Sequence, residues 1–206
     1  MDVIAVIAQK GGTGKTTLTL ALAVAAQLAG KVTAIVDLDP QSTASNWSDR
    51  REAESPVVVS AQPARLPHVL TSAEASGAAL VLIDTPPRAE QAALAAAKAA
   101  HLILIPCRPV IYDLETMATT LELVRFAGDK PVIAILNGVP PRGSKKDQAV
   151  DVIRQLGPRV CPAAFGWRMA FSDAGALGLT AQEYDPGSKS AIETDEVYRF
   201  VSKLIN

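Results

Sequence analysis

The stretch Gln9-Lys10-Gly11-Gly12-Thr13-Gly14-Lys15-Thr16-Thr17 decides the fold. An apolar run, Val3–Ala8, leads into it, and an Ala/Leu-rich stretch of helical period follows from Lys15 to Leu28. A glycine-rich turn between a buried strand and a helix is the context in which such a motif binds phosphate. Glycines open backbone angles closed to other residues, so successive N–H groups can face one anion. The helix N-terminus adds partial positive charge. In this arrangement Gly11, Gly12, Thr13, Gly14 and Thr17 cradle phosphate oxygens, Lys15 reaches the β- and γ-phosphates, and the Thr16 hydroxyl ligates Mg²⁺. One residue is surplus: Lys10, a second cation at the far end of the loop.

Outward from the loop, short β-branched runs alternate with longer helical patterns. The strands expected are Val3–Ala8, Val32–Val36, Val57–Val59, Leu80–Ile83, Leu102–Ile105, Val132–Leu136 and Arg159–Pro162. The helices expected run from about Lys15 to Leu28, Gln41 to Arg51, Leu66 to Ala73, Ala89 to Lys98, Leu114 to Phe126, Ser144 to Leu156 and Ala191 to Leu204. This alternation predicts an α/β fold, a doubly wound and mostly parallel sheet with helices on both faces. Residues 1–206 read as one domain, with ligands gathering at the carboxyl edge of the sheet.

Bulk composition excludes several classes. With 49% hydrophobic and 20% charged residues and a net charge of -1, the chain is neither disordered nor a general polyanion binder. Cys107 and Cys161 are its only cysteines and lack metal-site spacing, which suits a reducing cytoplasm. No apolar run approaches membrane-spanning length, and the acidic N-terminus does not read as a signal peptide.

The loop departs from the usual G-x-x-x-x-G-K-[ST] form, because Gln9 stands where the first glycine would fall. What remains, K-G-G-x-G-K-T, resembles the ParA/MinD superfamily of deviant Walker ATPases, and most of all its small plasmid-partition ParA proteins. The resemblance implies binding of ATP and ADP with Mg²⁺, slow hydrolysis without a partner, and a trans role for Lys10. In relatives that lysine reaches the phosphates of the partner subunit in a nucleotide-sandwich dimer, a cation delivered only when two molecules meet. A solvated lysine at a strand end is the competing reading.

Two further segments end strands with acids: Val32–Val36 delivers Asp37 and Asp39, and Leu80–Ile83 delivers Asp84. They match the family's DxDPQ and hydrophobic-D-x-P-P motifs. The match implies Mg²⁺ held by Asp84 with help from Asp37, and an attacking water oriented by Asp39. Both Asp37 and Asp39 are also ordinary helix-capping residues. Asn137 follows Val132–Leu136, and the resemblance suggests contact with adenine, although Asn-Gly is also a plain turn.

Between Arg142 and Arg168 six basic residues (Arg142, Lys145, Lys146, Arg154, Arg159, Arg168) face only Asp147 and Asp151, a local balance of +4. Such a stripe is expected to hold phosphate backbones without reading sequence, with Arg142, Lys145, Lys146 and Arg168 as contacts. The resemblance extends this to a homodimer formed on ATP, associated with the nucleoid through non-specific DNA and released by a ParB-like or cargo-bound adaptor. The loop begins so early that no N-terminal DNA-binding extension is expected. A MinD-like membrane regulator and a metabolic phosphate-loop enzyme are the alternatives. The first sits poorly with Glu193, Asp195 and Glu196 beside the apolar stripe Val197, Phe200, Val201, Leu204 and Ile205, which is expected to pack on the core. Met117, Met169, Trp47 and Trp167 are likewise expected to pack. His68 and His101 carry no partner pattern.

Overall fold

The computed structural model describes residues 1–128 and 130–205. Its strands are β1 Asp2–Val6, β2 Thr33–Asp37, β3 Val57–Ser60, β4 Leu80–Asp84, β5 Leu102–Cys107, β6 Val132–Leu136 and β7 Arg159–Val160. They form one sheet of order β3-β2-β4-β1-β5-β6-β7, and every pairing is parallel. The helices are α1 Lys15–Leu28, α2 Thr43–Asp49, α3 Leu66–Ala75, α4 Glu90–Ala99, α5 Ile111–Arg125, α6 Lys145–Leu156, α7 Met169–Ala176, α8 Ala181–Tyr184 and α9 Lys189–Ser202. A 3₁₀ turn at Pro63–Arg65 precedes α3.

Strand residues alternate between two cores, as a sheet covered on both faces requires. Val3, Ala5, Val81 and Ile83 pack with α4, α5 and α6. Ile4, Val6, Leu80 and Leu82 pack with α1, α2 and α9. Most of the apolar stripe of α9 and the residues after it is core: Val197, Val201 and Ile205 are buried in the second cluster and Phe200 lies under the Arg159 guanidinium, whereas Leu204, expected to pack, is exposed. No helix among the described residues is long and apolar enough to cross a membrane.

All seven expected strands are present, Val132–Leu136 with the expected ends and the others with ends shifted by at most two residues. Two helices, α7 and α8, were not expected. Their sequence, MAFSDAGA and AQEY, is short and rich in Gly and Ala, and α8 has no apolar periodicity of its own. It is fixed instead by a capping box, in which Thr180 and Glu183 satisfy each other's backbone. Tertiary bonds then hold both helices to α2. Trp47 Nε1 donates to the Leu179 carbonyl at 3.0 Å, and Arg50 reaches the Gly175 carbonyl at 3.2 Å. Arg51, buried and stacked over Trp47, donates to Gly178 O at 3.0 Å and to Glu183 Oε2 at 3.0 Å. Gly178 is required there, because its φ is +70° and a Cβ would come within 2.6 Å of the Arg50 backbone. Trp47 is packed as expected. Trp167 and Met169 are not: they are 68% and 66% exposed.

Candidate functional site

Parallel register sets the site. Asp37 at the end of β2 pairs with Asp84 at the end of β4, and Asp84 pairs in turn with Val6 of β1, just before the loop. Both carboxylates therefore emerge at the carboxyl edge beside residues 9–17. Thr16, on the first turn of α1, donates its hydroxyl to Asp84 Oδ2 at 2.6 Å. The other oxygen, Oδ1, is buried without a hydrogen-bond partner. Burial pushes the Asp84 carboxyl up to about 7, and Asp37 and Asp39 push the same way against the Thr16 bond and Lys15. A buried carboxylate with one free oxygen, next to a threonine hydroxyl, is the donor set a hard divalent cation takes. Mg²⁺ fits here.

Gly12 and Gly14 adopt φ of +72° and +94°, open to glycine and costly for other residues. Gly14 is doubly fixed, since a Cβ would lie 1.9 Å from Asn137 Nδ2. Gly11 does not take a positive φ; a Cβ there would lie 4.0 Å from Pro87. Lys15 is buried, and its Nζ donates to the Lys10 carbonyl at 3.1 Å across the loop. Desolvation lowers its pKa, while Asp84 and Asp39 oppose that shift. A buried ammonium bonded to only one carbonyl has donors to spare for phosphate.

The second carboxylate pair divides its work. Asp37 Oδ1 accepts from the Asp39 N–H at 3.0 Å, and Oδ2 accepts from the Ser45 N–H and hydroxyl, both at 3.1 Å. Both oxygens accept bonds from the turn that leads into α2, so Asp37 shapes that turn. Asp39 is half-buried, and its Oδ1 accepts from the Gln41 N–H at 2.9 Å. The Asp84–Arg88 segment is tied to the loop from the other side. The Thr85 hydroxyl donates to Val6 O at 2.8 Å, and the Arg88 N–H donates to Gln9 O at 3.1 Å.

Asn137 braces the loop. Its Nδ2 donates to the Thr13 carbonyl at 2.7 Å and its Oδ1 accepts from the Gly138 N–H at 2.9 Å. One N–H and one oxygen lone pair of the amide remain free.

Lys10 is not a solvated lysine. Its Nζ lies 2.9 Å from Asp113 Oδ1, on the first turn of α5, and 5.3 Å from the Tyr112 ring centroid. Arg108 holds the same carboxylate through Nε to Oδ2 at 2.8 Å and Nη2 to Oδ1 at 3.0 Å. Burial alone would raise the Asp113 carboxyl, but the bonds from Arg108 and Lys10 hold it below the ordinary range. Sequence reading missed Asp113 and Arg108. The available signal was an acid in the first turn of the helix after the Pro106–Pro109 segment, but nothing local tied it to a lysine 103 positions earlier.

Of the proposed DNA contacts, Arg142 and Lys145 are exposed and Lys146 is half-buried, with its Nζ 3.5 Å from Pro162 O. Arg168 is paired: its Nη2 donates to Glu193 Oε1 of α9 at 2.6 Å.

Residues 4–180 match the family described as CobQ/CobB/MinD/ParA nucleotide binding domain. The chain belongs to this family. It is 34% identical to the maintenance of carboxysome distribution protein A of Gloeobacter kilaueensis, over 99% of this chain and 94% of that protein. It is 32% identical to the chromosome-partitioning ATPase Soj of Thermus thermophilus, over 91% of this chain and 90% of that one. Among solved structures, the septum site-determining protein MinD of Pyrococcus horikoshii, complexed with Mg-ADP, superposes with a TM-score of 0.78. It is 23% identical, with 98% of this chain and 96% of that chain covered. The family resemblance read from residues 9–17, 36–41 and 82–87 therefore holds, and so does the fold that it implied.

Proposed function

We propose that this protein is an ATPase that positions a large cargo by cycling between a free form and an ATP-bound dimer. It takes ATP and ADP with Mg²⁺, which shields phosphate charge when bound. Backbone N–H groups of the loop and Lys15 hold the β- and γ-phosphates, while Thr16 and Asp84 hold the metal. Asp39 orients the attacking water, and its turn with Asp84–Arg88 senses the γ-phosphate. One relative is named for distributing carboxysomes and another for partitioning chromosomes, and positioning is the common element.

The observation that carries the dimer is the pairing of two cations with one carboxylate. Arg108 alone occupies both oxygens of Asp113, which is fully out of solvent, so Lys10 can leave without stranding a buried charge. Lys10 is about a third exposed at its side chain and sits at the loop mouth. It is the cation available to a second molecule's phosphates. The dimer joins two copies of the Arg142, Lys145 and Lys146 stripe, which binds duplex DNA without sequence preference until a cargo-bound adaptor stimulates hydrolysis.

The test is binding to a non-specific duplex, by anisotropy, with ATP, ADP or no nucleotide at two salt concentrations, with sedimentation of the same samples. Expected are an ATP-dependent dimer and ATP-dependent DNA binding that falls steeply with salt. Lys10→Ala should keep nucleotide binding and lose both. A Lys10→Ala protein that still dimerises on ATP overturns the trans role.

A further inference from the structure

β3 ends the sheet on the side away from β7, and among the described residues it pairs with β2 alone. Just past this ladder the Ala61 N–H donates to Asp37 O at 3.0 Å. Backbone groups alternate sides along a strand, so Val57 and Val59 also turn theirs to β2, while Val58 and Ser60 turn theirs outward. Sheet edges are usually blunted by a charge or a proline. Pro56 stands before this strand, but Val57–Ser60, VVVS, contains neither. The same strand is apolar and half uncovered on one face. Val57 and Val59 pair with Ala34 and Val36, which places them on the α3 side of the sheet. Between them and α3 lies a cavity of about 380 Å³, lined by Val36, Val57, Val59, Val69 and Ala73 among others. Val57 is 54% exposed and Val59 37%.

We infer that a second copy of this chain covers this edge, β3 against β3, antiparallel about a two-fold axis at Val59. The second copy supplies both missing parts, an extended backbone for Val58 and Ser60 and valines at alternate positions for the cavity mouth. Centred on Val59, Val58 of each copy exchanges its N–H and C=O with Ser60 of the other. Centred on Val58, the pairing would set Ser60 against Pro56, which has no N–H to give. Charge agrees with the antiparallel sense. Glu52 and Glu54 precede β3 and Arg65 follows it, all three are exposed, and none is in an ion pair among the described residues. The two-fold sets the acids of each copy beside the arginine of the other. β2 and β4 separate this edge from β1 and the phosphate loop, so the contact needs no nucleotide and does not rest on the ATPase reading.

The nucleotide-free protein tests it. Sedimentation from about 1 to about 100 μM should show monomer passing to dimer, since so small a contact is weak. Val59→Cys should cross-link to its own copy under mild oxidation, because facing residues of a non-hydrogen-bonded pair have Cα atoms about 4.5 Å apart, within disulfide reach. Val57→Cys faces Ala61 and lies about 13 Å along the strand from the other Val57, so it should not. Cys107 and Cys161 are buried and give no background. Val57→Lys, at an exposed position, should weaken the dimer by about tenfold with thermal unfolding unchanged. Glu54→Arg should weaken it too, and Arg65→Glu in the same chain should restore it. Lys10→Ala should leave it as it is. A monomer at every concentration, whether the cavity stays empty or takes up anilinonaphthalene sulfonate, would overturn the proposal. So would Val57→Cys cross-linking as readily as Val59→Cys, or a dimer that Val57→Lys does not weaken.

Discussion

Asp84→Asn separates what the carboxylate does for the metal from what it costs the empty protein. The Asp84 side chain is buried with Oδ1 unpartnered, and its carboxyl is pushed up from 3.8 to about 7, first by burial and then by Asp37 and Asp39. In the unfolded chain the same group ionises at its ordinary value. Between about pH 4 and about pH 7 the folded state holds a proton that the unfolded state has lost. Stability of the nucleotide-free protein therefore falls as pH rises through that window, and stays lower above it. At about 1.4 kcal/mol per pH unit the full effect is about 4 kcal/mol. Asparagine keeps an acceptor for the Thr16 hydroxyl and removes the charge. Lys15, however, loses one of the two acids that favour its charged form, which returns part of the gain. The expected net is about 1–3 kcal/mol of added stability near pH 8, shrinking toward zero near pH 4. Urea unfolding of both proteins without nucleotide, at several pH values, measures it. With Mg-ATP the order should reverse, because only the carboxylate meets the cation, and Mg²⁺ affinity of the parent should rise as pH passes 7. A variant less stable than its parent near pH 8, or one with the parent's pH slope, would refute the reasoning.

Lys15→Ala should abolish nucleotide binding by calorimetry while leaving the empty fold intact, since a desolvated ammonium bonded to one carbonyl contributes little to it. Asp39→Ala should still bind ATP and accumulate as an ATP dimer with phosphate release suppressed; normal turnover would remove Asp39 from the mechanism. Arg51→Ala should cost about 3–5 kcal/mol in denaturant unfolding, because it strands Glu183, whose carboxyl Arg51 and Thr180 hold below its ordinary range despite burial. A loss under about 1 kcal/mol would show that the α2–α8 staple is incidental.

Most of the sheet was legible because its strands are apolar runs with Gly or Pro nearby, a pattern that is local. The loop was legible for the same reason, and so was the delivery of Asp37, Asp39 and Asp84 to one edge, since parallel strands end on the same side. What could not be read depends on distant partners. Nothing near Arg51 announces Glu183, and nothing in AQEY announces a helix until Thr180 and Glu183 cap each other and α2 lies against it. Asp37 shows the limit within a motif: its position was legible, but the bonds it accepts from the N–H of Asp39 and from Ser45 were not. Trp167 shows the limit of composition, because a tryptophan is apolar enough for a core yet here faces solvent.

The two lysines of the loop are distinguished by what surrounds them rather than by their spacing. Lys15 is buried against Asp84 and Asp39, so one positive charge already faces three acids, Asp37 included, before any phosphate arrives. A triphosphate deepens that imbalance, and Mg²⁺ at Thr16 and Asp84 offsets only part of it. The next cation within the loop is Lys10, and in the resting protein it is spent on Asp113, a carboxylate that Arg108 already satisfies. That redundancy is what a transferable charge requires, because a lysine that was the sole partner of a buried acid could leave only at a cost of several kcal/mol. Asp113→Asn should on this argument loosen Lys10 and favour ATP-dependent association, whereas Arg108→Ala should bind Lys10 more firmly in place and oppose it. Sedimentation of the two variants with ATP sets these opposite shifts against each other, and movement in the same direction would contradict the shared-carboxylate account.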